Sequence, residues 1–139
     1  MHKIRLDELT SAEAAALARD TAKKYGLLLP LGCTEQHGPM LPLGCDTTIA
    51  RGAAENLARA LVAHPRYGAV VMPDFAYTPS PGAEDFAGTV SVGFDWMGQG
   101  IREILSAAIR TPWTFVGLVN AHGHNHGRVI EASMGGSQA

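Results

Sequence analysis

The stretch GLLLPLGCTEQHGPMLPLGCD, residues 26–46, decides the fold. Leu27 to Leu31 is a short, uninterrupted apolar run, which suits a strand covered on both faces in a parallel sheet. The Gly- and Pro-rich segment after it is that strand's exit, and it carries Glu35 and His37. Asp46 closes the stretch as the expected N-cap of a helix over about Thr47 to Val62, with Ile49, Ala53, Ala54, Leu57, Ala60 and Leu61 at helical spacing.

Working outward, Thr10 and Glu13 form a T-x-x-E capping box that opens an alanine-rich helix through about Lys24, with Gly26 as its stop. Pro65 and Gly68 end the second helix, and Ala69 to Met72 gives another buried strand. Tyr77 to Gly93 reads as a loop with one short strand at Thr89 to Val92. Ile101, Ile104, Leu105, Ala108 and Ile109 predict a third helix from near Asp95 to Arg110. Thr114 to Val119 is a further apolar strand that runs into Asn120-Ala121-His122-Gly123-His124-Asn125-His126. A last helical segment is expected at Arg128 to Met134. Helices alternating with short apolar strands predict a three-layer α/β/α fold with a mainly parallel sheet.

The 139 residues fit one domain, and 46% hydrophobic with 17% charged residues is ordinary globular composition. No apolar stretch is long enough for a membrane span, and charges near the N-terminus leave no secretory core, so a cytoplasmic protein is expected. Eleven Lys and Arg against thirteen Asp and Glu give a formal charge of −2, and the basic residues are scattered, which argues against nucleic acid. The two cysteines, Cys33 and Cys45, read as thiols.

In open parallel sheets ligands collect outside the carboxyl ends of the strands. Both histidine-containing segments sit at such ends. Glu35 with His37, and His122 with His124, are two apart, so each pair shares a face if strand geometry continues. With Asp46 this makes three imidazoles and two carboxylates, the inventory of a site for two divalent ions. A carboxylate such as Asp46 can bridge ions roughly 3.5–4 Å apart, and a hydroxide between them is the nucleophile. The nitrogen and oxygen donors suit Zn, Mn or Fe(II). Cys33 is an alternative nucleophile, and His126 an outer group or general acid.

These residues resemble a known family. GCTEQHGPMLPLGCD is similar to the creatininase (creatinine amidohydrolase) family signature, a Gly-Ser-Thr-Glu-Gln-His-Gly stretch followed by Leu-Pro-Leu-x-Thr-Asp. VNAHGHN, residues 119–125, resembles its Asn-Gly-His-Gly-Gly-Asn motif, and DFAGTVSV, residues 85–92, its Phe-Pro-Gly-Thr segment. Cys33 stands where the family has Ser, Cys45 where it has Thr, Ala87 where it has Pro and Ala121 where it has Gly.

The resemblance implies a metal-dependent hydrolase of an amide C–N bond in a small molecule or peptide, usually a homo-oligomer. It implies Glu35 and His122 on one metal, His37 on the other and Asp46 between them. His124 occupies a position that is Gly in many members and a Glu ligand in creatininase, and is expected as a substitute ligand for the second metal. The resemblance implies one creatininase-like domain, residues 1–139, and leads us to expect that it lacks the later section that in relatives adds pocket groups, a catalytic His and often a Glu ligand. His126 and Glu84 are the local candidates to protonate the leaving nitrogen. A second chain supplying the later section, a non-catalytic metal-binding subunit, and a Cys33-based hydrolase are the alternatives.

Overall fold

The computed structural model describes residues 3–127. Three helices, α1 (Ser11–Ala18), α2 (Cys45–Val62) and α3 (Phe94–Ala108), and three strands, β1 (Lys24–Leu31), β2 (Tyr67–Val71) and β3 (Val116–Asn120), alternate along the described chain. The strands form one parallel sheet in the order β2-β1-β3. The expected α/β architecture is present.

β1, apolar after Lys24, is central because each of its faces meets a helix layer. Leu28 packs with Ala54 and Ala58 of α2 and with Ala69 and Val71 of β2. Leu29 and Leu31, on the opposite face, pack on Met97 and Ile101 of α3. Tyr25, Leu27 and Val70 on that same face are covered by Leu17, Ala108 and Trp113. With both faces buried there is no place for alternation, hence the unbroken apolar run Leu27 to Leu31.

The strands begin or end two or three residues from their expected bounds, and the larger departures from the sequence expectation are three. The first helix stops at Ala18 instead of reaching Lys24, because the Asp20 carboxylate accepts from the backbone N–H groups of Ala22 and Lys23 and turns the chain. Gly26 is accordingly a residue inside β1, where a Cβ would overlap the Phe115 ring. Asp46 does not cap α2: the N-cap is Gly44, and Asp46 lies in the first turn with its side chain directed elsewhere. Thr89 to Val92 forms no strand, although Val90 N–H donates to the Thr34 carbonyl at 2.8 Å. The helix expected at Arg128 to Met134 lies outside the described residues. Among those described, no helix is long and apolar enough to cross a membrane.

The capping box predicted for α1 is present. Glu13 N–H donates to Thr10 Oγ1 at 3.2 Å, and Thr10 N–H donates to Glu13 Oε2 at 2.7 Å. Thr10→Ala is expected to lower stability by about 1 kcal/mol, measurable by urea denaturation. The Thr10 backbone N–H, then the Lys3 ammonium, hold the Glu13 carboxyl down to about 2. Its folded pKa is depressed, so its contribution is complete above the usual carboxylate range and is lost as pH falls toward 2. Glu13→Gln should therefore flatten the acid limb of the stability profile.

Candidate metal centre

Gly32 leaves β1 directly against the first turn of α2. A Cβ on Gly32 would overlap the Thr47 backbone, so only glycine permits this approach. Thr47 Oγ1 then donates to the Cys33 carbonyl at 2.9 Å and locks helix to strand exit. The loop between them is closed by Glu35 N–H donating to the Leu43 carbonyl at 3.1 Å. These contacts carry Asp46 across the carboxyl end of β1, where β3 delivers His122.

Asp46 stands between two imidazoles. His37 Nε2 lies 3.0 Å from Asp46 Oδ1, and His122 Nδ1 lies 2.8 Å from Asp46 Oδ2. Glu35 Oε1 is 3.6 Å from His122 Nδ1. Each imidazole's other nitrogen is held by a backbone carbonyl: Nδ1 of His37 by Glu35 at 3.0 Å, and Nε2 of His122 by Pro79 at 2.9 Å. Donating N–H to those carbonyls fixes each tautomer, leaving the lone pair of a neutral ring aimed at a carboxylate oxygen. Two acceptors at such distances repel unless a cation, a proton or a metal ion, sits between them. The donor set therefore fits divalent metal on either side of Asp46.

His122 is buried and held from three sides. Asn120 Oδ1 accepts from its backbone N–H at 3.2 Å, and Asn120 Nδ2 donates to its carbonyl at 2.9 Å. Asn125 Nδ2 donates to Asn120 Oδ1 at 3.0 Å and to the Gly32 carbonyl at 3.2 Å, joining the two strand exits. Thr78 Oγ1 donates to the same carbonyl at 2.7 Å. Sequence reading missed Asn120, Asn125, Thr78 and Pro79 as supports. The two asparagines flanking the histidines were the available signal; nothing local marked Thr78 or Pro79.

The other sequence candidates are placed differently. His122 and His124 do not share a face, because the chain leaves β3 at Asn120 and turns through a 3₁₀ segment at Gly123–Asn125. His124 is exposed, its ring centroid 5.2 Å from that of His122. His126 is exposed beyond it. Glu84 accepts from Gly82 N–H at 2.6 Å, closing its own turn. Among the described residues, the donor atoms that cluster within 4.8 Å of one another are those of Cys33, Glu35, Asp46 and His122, and of His37, Cys45 and Asp46.

With protons in place of metal between the rings and the carboxylate, burial works against the charged form of Asp46, yet hydrogen bonds donated by His122, Cys33 and His37 prevail and lower its pKa. The Glu35 carbonyl, and after it Asp46, raise that of His37 against burial. Burial, seconded by Asp46, pushes the Cys33 thiol up, so without metal it is protonated and a poor nucleophile. This disfavours the Cys33 hydrolase.

The family profile described as creatinine amidohydrolase matches residues 7–134. The chain belongs to the creatininase family. Among curated relatives, the mycofactocin precursor peptide peptidase of Mycolicibacterium smegmatis is 41% identical over 100 residues, covering 71% of this chain and 40% of the relative. The same-named peptidase of Mycobacterium tuberculosis is 35% identical over 129 residues, covering 90% of this chain and 50% of the relative. A solved structure described as creatininase with Mn superposes with a TM-score of 0.86 at 22% identity, covering 99% of this chain and 52% of the other. A further creatininase, of Zn-Zn type, gives 0.84 at 23% identity and covers 98% and 52%. The creatininase-like fold is thus shared, and the chain spans half or less of the curated relatives' length, as their N-terminal portion.

Proposed function

We propose that this chain carries the metal-holding part of an amidohydrolase that cleaves an amide C–N bond in a small molecule or peptide. The observation that carries the reading is Asp46: its two oxygens face two separate imidazoles at 3.0 and 2.8 Å, the arrangement of a carboxylate shared between two cations. Glu35 and His122 would hold one divalent ion. His37 would hold the other, with His124 brought in by a side-chain rotation. Creatininase-family structures described as Mn and as Zn-Zn type support Zn or Mn, and Fe(II) fits the same donors.

Two such ions would polarise the amide carbonyl and lower the pKa of a water to about 7. The protein's own work is orientation and proton handling. Pro79 and Glu35 carbonyls keep the ring lone pairs pointed inward, and the Asn120–Asn125 pair prevents His122 from swinging away. Of the two sequence candidates for protonating the leaving nitrogen, Glu84 is held by Gly82, whereas His126 is exposed four residues beyond His122; His126 takes the role. A peptide substrate draws support from the peptidase relatives, a small cyclic amide from the creatininases. The remainder of the pocket is contributed by a further section of polypeptide, in this chain or a second one, within a homo-oligomer.

Elemental analysis of metal per chain tests the reading. About two ions are expected, falling to about one in His124→Ala, and chelation should abolish hydrolysis across a panel of amides. Absence of bound metal would defeat it. Metal at full occupancy without turnover, even with the later section added, would favour a non-catalytic metal-binding subunit.

A further inference from the structure

Resting on that two-ion reading, we infer that Cys33 is itself a metal ligand, making the ion held by Glu35 and His122 a thiolate site. The family resemblance places Ser at this position, so the sulfur is a feature of this chain.

The geometry argues for it. Cys33 is fully buried. Its Sγ lies 3.3 Å from Asp46 Oδ2, and with Glu35 and His122 its donor atom falls in one cluster, all within 4.8 Å of one another. A tetrahedron with metal–ligand bonds of about 2.0–2.3 Å has edges of about 3.3–3.8 Å. The Cys33–Asp46 separation of 3.3 Å and the His122–Glu35 separation of 3.6 Å fall in that range. Four residues on two strand exits and one helix thus gather one sulfur, one nitrogen and two oxygens in one cluster, with the third separation, His122 to Asp46 at 2.8 Å, shorter than a tetrahedral edge and needing to widen around an ion. The His122 lone pair already points into this cluster, its opposite nitrogen being engaged by Pro79.

Binding balances as an exchange. The divalent ion forms a bond to sulfur, the S–H bond breaks, and its proton leaves to solvent. A thiolate is a soft donor that favours Zn over Mn. The consequence is a zinc-selective first position beside a second one held by His37 and Asp46. Cys45, near those two residues, provides the control.

Zinc X-ray absorption and cobalt substitution test the assignment on the folded chain, with no dependence on turnover. Expected are a Zn–S shell at about 2.3 Å and a near-ultraviolet sulfur-to-cobalt charge-transfer band, both lost in Cys33→Ser and retained in Cys45→Ser. Cys33→Ser should also lower the zinc-over-manganese preference at least tenfold in competition titrations while its far-ultraviolet circular dichroism stays unchanged. Zinc bound by the unmodified chain without sulfur scattering, or sulfur signals that survive Cys33→Ser, would overturn the inference while leaving the two-ion reading standing. Failure to bind any divalent ion would instead defeat both.

Discussion

Asp46→Ala is expected to remove both divalent ions from the centre, taking metal content from about two per chain to near zero. The reason is positional. Asp46 contributes an oxygen to each side, within 3.0 Å of His37 and 2.8 Å of His122, so one truncation strips a ligand from both sets. Loss of an outer partner of a ligand costs about 10–100-fold in affinity; loss of a shared inner donor should exceed that at each position. The measurement is metal content after dialysis, paired with a competition titration. Asp46 is also largely shielded from water and held by hydrogen bonds that outweigh its burial, so its truncation should cost the metal-free fold some stability as well, and circular dichroism of the metal-free variant checks that it remains folded. Retention of two tightly held ions in Asp46→Ala would remove the basis of the bridged assignment.

The second large effect is expected from Gly32→Ala. The added methyl meets Thr47 backbone atoms, which cannot rotate aside as a flexible side chain would. Either β1 or the first turn of α2 must move. Overpacking of this kind costs about 1–3 kcal/mol, and the upper end applies where the neighbour is backbone. The same displacement shifts Asp46, one residue before Thr47, relative to His122. Reduced stability in urea should thus accompany a metal affinity lowered by tenfold or more. Gly52→Ala is the control, because nothing lies near a Cβ there and alanine favours a helix. A Gly32→Ala protein with unaltered stability and metal affinity would show that the close approach does not hold the centre together.

Much of the fold was legible because its signals are local. The apolar run of β1, the helical spacing through α2 and α3 and the capping box of α1 each express their element's own geometry. Misread boundaries were those where a distant contact or a short side-chain turn prevailed. Asp20 ended α1 early, Phe115 required Gly26 inside a strand, and Asp46 was drawn away from capping toward His37 and His122.

The candidate centre divides the same way. Sequence alone determined the chemical inventory, carboxylates and imidazoles at two strand exits, because residue type and position after an apolar run are written in the chain order. It also pointed to the family. Only the tertiary structure decided which donors meet. The parallel pairing of β1 with β3 brought His122, 76 positions after Asp46, to 2.8 Å from it, while the turn at Gly123–Asn125 left His124 exposed. Strand alternation could not foresee that turn, since it depends on Asn120 and Asn125 hydrogen-bonding across the strand exit. Nor could it place a buried thiol beside Glu35, Asp46 and His122. That placement arises from Gly32 and Thr47 packing, and sequence spacing carries no record of such an approach.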